Sequence, residues 1–238
     1  FVDFLSSAED PNLKFQYANL LKFVRLVAFF ITLLLPGLYV AITNFHQEII
    51  PTELLFAIVA SRESVPFPII VEILAMEISF ELIREASLRV PSPIGTTIGI
   101  IGALILGQAA VEASIVSPIL IIIVAITGIT SFAIPDFYLS FHLRIVRFLY
   151  IIAGFLAGFL GIGIVLFSHL VLLCSLKSFG VSYLAPFVPA TSKNNKAYFM
   201  PPFWNREKRP DFLNTKRPQK EARISMKWNY KIGGNNGN

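Results

Sequence analysis

The sequence predicts an all-α, polytopic membrane protein: about four transmembrane helices, one re-entrant or interfacial helical segment, and a basic C-terminal tail. Three observations predict it. Residues 26–45, 114–135 and 148–176 contain no Asp, Glu, Lys or Arg. Each stretch is long enough for a bilayer, which takes about 20 apolar residues. Of 238 residues, 55% are hydrophobic and only 15% charged, against about 25% charged in a soluble domain. The charge is also divided, with −4 over residues 1–176 and +9 over residues 177–238. The net +5 thus comes from the tail. No basic patch interleaved with aromatics points to nucleic acid.

The elements follow in order. Residues 1–25 read as a polar connector from a cytoplasmic N-terminal domain ahead of Phe1, with Pro11 as a breaker. They lack the basic start, apolar core and cleavage site of a signal peptide. Lys14, Lys22 and Arg25 put this side inside, because basic flanks stay cytoplasmic. The transmembrane domain is expected over residues 26–176. Its first span, 26–45, contains Pro36-Gly37, a pair that a membrane bundle tolerates as a kink. Residues 49–60 are too short to cross and hold Glu53, with Pro51 in a favourable first-turn position. A turn over 61–68, marked by Pro66 and Pro68, leads into helical periodicity over 69–89. Ile70, Ile73, Leu74 and Ile78 belong to its apolar face, and Pro91 and Pro93 end it. Pro36, Gly37, Pro66 and Pro68 are candidate hinges.

Span two, 94–111, carries Gly95 and Gly99 in a spacing that allows close helix approach. A tight corner at Glu112-Ala113 leads to span three, 114–135. A loop with His142, Arg144 and Arg147 follows, then span four, 148–173. Four crossings keep both ends inside, which suits the basic tail of residues 177–238. That tail is expected to be largely disordered and cytoplasmic, held on anionic lipid with Phe203-Trp204 as anchors. Cys174 is expected to be a buried small hydrophobe.

The strongest polar constellation is Glu72, Glu77, Glu81 and Glu85. The last three and Arg89 recur every four residues, drifting about 40° per step along one helix. Such acids repel one another unless water, a cation or arginine screens them. They read either as a cation-attracting vestibule or as the solvated face of an interfacial helix, with Arg84 and Arg89 as structural partners. Gln108 and Glu112 flank the tight corner and read either as a polar ring in a pore or as a water-facing hairpin. His169 stands alone in span four as an interhelical hydrogen-bonder or a proton relay. His46 and Glu48 are too few for a metal site. No phosphate loop, H-E-x-x-H or G-x-S-x-G occurs, so neither an enzyme nor a cofactor is expected.

Several runs of residues carry a resemblance. They are Leu35-Pro36-Gly37-Leu38-Tyr39-Val40-Ala41, Gln47 to Leu55, Ala60-Ser61-Arg62-Glu63 and Val65-Pro66-Phe67-Pro68. Glu81-Leu82-Ile83-Arg84-Glu85-Ala86, Ile100 to Val111, Phe132-Ala133-Ile134-Pro135 and Ser178 to Pro186 continue it. In this order they resemble the A subunit of bacterial spore germinant receptors, the GerA family, over residues 8–189. The resemblance implies a multi-pass protein of the spore inner membrane. It implies a transporter-like B subunit and a lipoprotein C subunit as partners, and homo-oligomerisation of A subunits into a ligand-gated cation channel that triggers germination. Rings of carboxylate from the Glu row would then favour cations. An A-subunit-like accessory protein of the dipicolinic acid release machinery is the alternative. A secondary transporter broken at residues 49–68 is a further reading, and the lack of a visible inverted repeat counts against it.

Overall fold

In the computed structural model, residues 2–188 are described, apart from 91–93, 179, 186 and 187. The helices are α1 (Phe15–Phe45), α2 (Thr52–Arg62), α3 (Ile69–Arg89), α4 (Ile94–Glu112), α5 (Pro118–Phe132) and α6 (Phe137–Ser175). A two-stranded antiparallel hairpin, β1 (Lys177–Ser178) and β2 (Val181–Ser182), follows. The chain divides into two compact units, one of residues 24–169 and one of residues 1–23 with 170–238.

In the larger unit, α3 is the hub. It packs along α4 and against α5. The core joins Tyr39 and Val40 of α1, Ile69, Ile73 and Met76 of α3, Leu120 and Val124 of α5, and Ile151 of α6. Gly99 and Gly102 of α4 lie against Ser87 and Ile83 of α3, so Gly99 of the expected pair does serve close helix approach; the surroundings of Gly95 lie outside what is described. Of the apolar face expected on α3, Ile73 is buried but Ile78 is exposed. Pro36 lies inside α1, which runs unbroken through it. Beside it, a Cβ added at Gly37 would come within 2.7 Å of the Tyr150 carbonyl oxygen. Gly37 is therefore a crossing point of α1 and α6. Pro66 lies in the turn between α2 and α3, and Pro68 is the N-cap of α3.

Three expectations need correction. Span three is helical only over Pro118–Phe132, 15 residues, or about 22 Å at 1.5 Å each, short of the roughly 30 Å hydrocarbon core. His142, Arg144 and Arg147 are not in a loop, because α6 already begins at Phe137. Span four does not run straight. Ala157 (φ −141°, ψ 17°) and Gly158 (φ 60°, ψ −138°) leave helical geometry, and the chain folds back. The His142 and His169 rings lie 5.9 Å apart; in one straight helix they would stand about 40 Å apart. Gly158 permits the turn because a residue with a Cβ is disfavoured at its φ and ψ. Gly161 permits the contact, since a Cβ there would collide with the Ala153 carbonyl oxygen. The glycines of span four thus make a helical hairpin, with arms of residues 137–156 and 159–175.

Among the described residues α1 and α6 have the length and apolar composition to cross a membrane, α6 with its two arms counted together. The surface agrees with a membrane-associated protein: Phe56, Ile129, Phe132, Leu156 and Phe167 are exposed while Glu72, Glu77, Arg144 and Arg147 are buried. A soluble fold does the reverse.

The corner after α4 has a defined chemistry. Ile115 N–H donates to the Ala110 carbonyl at 2.9 Å and Ser114 N–H to the Val111 carbonyl at 2.9 Å, the paired bonds of a Schellman cap. The residue at its left-handed position is Ser114, φ 53°, where glycine is the usual occupant.

In the smaller unit, the Phe4 ring stacks on Tyr183 at 5.9 Å. Asp10 accepts the Ser7 N–H at 3.0 Å. The first residues of the expected disordered tail are ordered as the β1–β2 hairpin, turning at Gly180, φ 81°. The tail beyond residue 188, with Phe203-Trp204, lies outside the described residues. Cys174 is exposed, which corrects its reading as buried: a helix with an apolar outer surface carries small hydrophobes outside as well as in.

Two outcomes follow. Spin labels at His142→Cys and His169→Cys, in a Cys174→Ser background, should report a short distance. A value near 40 Å would mean a straight α6, and Gly161→Leu should lengthen the distance by opening the turn. Ser114→Gly should raise stability by about 0.5–1 kcal/mol by relieving left-handed strain, read as a rise in Tm; a fall would show the serine hydroxyl to matter more than its φ.

Candidate functional site

Charge gathers inside the larger unit along one face of α3. Glu77 accepts from the Arg147 guanidinium at 2.6 Å, and the two residues are 1% and 3% exposed. One turn later Glu81 accepts from Arg144. Helix periodicity explains the match. Glu77 and Glu81 stand four apart on α3, Arg144 and Arg147 three apart on the first arm of α6, and both spacings return to one helix face. One more turn on, Arg84 donates to the Ser131 hydroxyl at 2.7 Å and the Gly128 carbonyl at 3.2 Å. Its guanidinium carbon sits 4.2 Å from the Phe132 ring centroid. The Ser140 hydroxyl donates to the Ser131 carbonyl at 3.0 Å, tying the end of α5 to the start of α6. The result is a polar seam of five charged side chains in an apolar body.

Glu72 belongs to a second cluster. One carboxylate oxygen pairs with Arg62 at 3.0 Å, and the other accepts the Ser117 N–H at 3.1 Å. Ser117 is the N-cap of α5, so a carboxylate closes a helix N-terminus, where the macrodipole favours negative charge. It joins the α2 end, α3 and α5 at one point.

The seven polar candidates do not form one site. Glu72, Glu77 and Glu81 are paired, and Arg84 is hydrogen-bonded to α5. Glu85 is exposed. Gln108 and Glu112 are also exposed, and the Gln108 amide donates to the Glu112 carboxylate at 3.0 Å. The row of acids therefore runs from the core at Glu77 to the surface at Glu85. Arg144 and Arg147, Ser131 and Ser117 were missed in the sequence. The signal was present: two arginines at helical spacing beside an apolar run offer partners to two acids at helical spacing elsewhere.

Against the seam lies a cavity of about 770 Å³. Glu77, Glu81, Arg84 and Arg147 line its polar side. Phe80, Ile83, Ile121, Val124 and Ile129 are among its apolar walls. Elsewhere the His169 ring meets His142 edge-on and lies 6.4 Å from Tyr150, joining the two arms of α6. His46 stacks on Phe159 at 4.4 Å, just past the turn. Among the described residues no group of three or more His, Cys, Asp or Glu is placed to hold a metal ion.

Removing one partner of a buried ion pair costs about 3–5 kcal/mol, since it strands the other charge. Glu77→Gln should therefore lower the Tm sharply. The double change Glu77→Leu with Arg147→Met should recover most of the loss, because neither charge then remains buried alone. Thermal unfolding in detergent checks this; equal losses in the single and double variants would show that the pair is not the stabilising unit.

Comparison with known proteins agrees with the early resemblance. The model of the Bacillus/Clostridium GerA spore germination protein matches residues 1–212. Spore germination protein KA of Bacillus subtilis (strain 168) is 48% identical over 215 residues, 90% of this chain and 40% of that protein. Spore germination protein GerLA of Bacillus cereus is 41% identical over 218 residues, 91% of this chain and 44% of that protein. The uncharacterized membrane protein YfkQ of Bacillus subtilis (strain 168) is 41% identical over 227 residues, 94% of this chain and 44% of that protein. The chain thus spans about two fifths of the length of these curated relatives. No solved structure matches it. With the family model covering most of its length, the chain belongs to the Bacillus/Clostridium GerA spore germination protein family.

Proposed function

We propose that this chain is the membrane part of an A subunit of a nutrient germinant receptor. It works in the spore inner membrane with a transporter-like B subunit and a lipoprotein C subunit. Copies of the A subunit assemble into a ligand-gated cation channel, and the role is not enzymatic. Family membership supports the receptor reading. The observation that carries the mechanism is the buried seam of α3 and α6, in which acids and arginines neutralise one another inside an apolar exterior.

A channel needs carboxylates facing the path of the ion. In this conformation Glu77 and Glu81 are held by arginine, and Glu85 and Glu112 face outward. The reading therefore assigns the closed state to this arrangement. Outward carboxylates attract cations, and the Glu77 and Glu81 pairs are the two-state element that ligand binding shifts. The turn at Ala157-Gly158 is the point where α6 can change direction.

The test is single-channel recording on the full-length protein in lipid, with and without its B and C partners. Cation-selective currents are expected, and Glu85→Gln with Glu112→Gln should lower conductance while assembly persists. Silence in both preparations, with assembly confirmed, would remove the channel reading.

A further inference from the structure

The seam contains three guanidinium groups, Arg84, Arg144 and Arg147, against two carboxylates, Glu77 and Glu81. Glu77 and Glu81 are taken by Arg147 and Arg144. Among the described residues of the seam, Arg84 is the surplus cation. Its hydrogen bonds go to a serine hydroxyl and a backbone carbonyl, both neutral, and Phe132 covers one face of it. It faces the cavity of about 770 Å³, where Glu77, Glu81 and Arg147 share the polar side and the remaining walls are largely aliphatic and aromatic. Glu77 and Glu81 also act on Arg84 across the seam but are each held by another arginine, so one positive charge stays in excess; that is costly in an apolar setting, and an anion supplied from outside would relieve the cost. A cavity of this composition also needs an apolar occupant.

We propose that this cavity binds an anionic phospholipid, its phosphate on Arg84 and an acyl chain along Phe80, Ile83, Ile121 and Ile129. Both halves of the ligand follow from the site: the charge balance asks for an anion, and the apolar walls ask for a chain. The surrounding membrane supplies both in one molecule, and basic pockets between membrane helices are known to hold such headgroups. The assignment does not depend on the channel reading, since it needs only the cavity and the membrane.

Two variants separate its parts. Arg84→Gln removes the charge and leaves the walls. Gly128→Leu fills space, because a Cβ at Gly128, a lining residue, meets nothing within 4 Å.

The experiment reconstitutes the full chain in vesicles of equal phosphatidylglycerol and phosphatidylcholine with identical acyl chains, then counts retained lipids by native mass spectrometry. Phosphatidylglycerol should be retained about tenfold over phosphatidylcholine, the scale of one charge-assisted hydrogen-bonded contact. Arg84→Gln should bring the cavity's share of that preference to near unity, and Gly128→Leu should release the lipid. The basic tail is common to all three proteins, so lipid held there leaves the differences between them unchanged. A variant-free measurement uses phosphatidylglycerol with a photoreactive acyl chain, expected to label Phe80, Ile121 or Ile129. Equal retention of both lipids, a preference unchanged in both variants, or labelling confined to other helices would overturn the proposal. Displacement by free glycerol phosphate would also overturn it, since the site would then take the anion alone.

Discussion

The pairing of Glu77 with Arg147 is the contact on which the larger unit depends. It joins the hub helix α3 to the first arm of α6. It also fixes which face of each helix points inward. Both side chains are out of contact with water, so each is tolerable only because of the other. Glu81 with Arg144 repeats the bond one turn later, and Arg84 extends the same line to the end of α5. Three helices are thereby registered by polar contacts, which have direction. Aliphatic packing between apolar helices has much less, particularly where lipid is as apolar as the helix itself.

Glycine sets how closely the helices can approach along that register. Gly99 and Gly102 bring α4 onto α3, and Gly37 brings α1 onto α6 near Tyr150. Gly161 lets the second arm of α6 lie on the first. The polar seam and these crossings work together: the crossings bring backbones near enough for short ion pairs, and the ion pairs select one register from many that small residues would allow. The cavity beside the seam is lined by residues of α3, α4 and α5, with Arg147 of α6.

Charge inside and hydrocarbon outside are what a membrane-associated protein requires. In the channel proposed above, the same pairs would be the switch. The Ala157-Gly158 turn lies in the same helix as both arginines.

Much of this was legible in the sequence. The helical course of residues 69–89, the corner after Glu112 and the acid row follow from periodicity, breakers and spacing, which are local properties. Local reading failed where the answer lay in another part of the chain. Phe148 to Leu173 has no Asp, Glu, Lys or Arg, and hydropathy has no term for direction, so the reversal at Gly158 was hidden among glycines that also suit straight helices. Arg144 and Arg147 looked like loop charges because their partners, Glu81 and Glu77, are more than sixty positions away. The sequence by itself determined that this is a helical membrane-associated chain with acids at helical spacing. Only the tertiary structure decided that those acids are paired with arginine, since a charge is placed by what neutralises it and the neutralising group comes from a different helix.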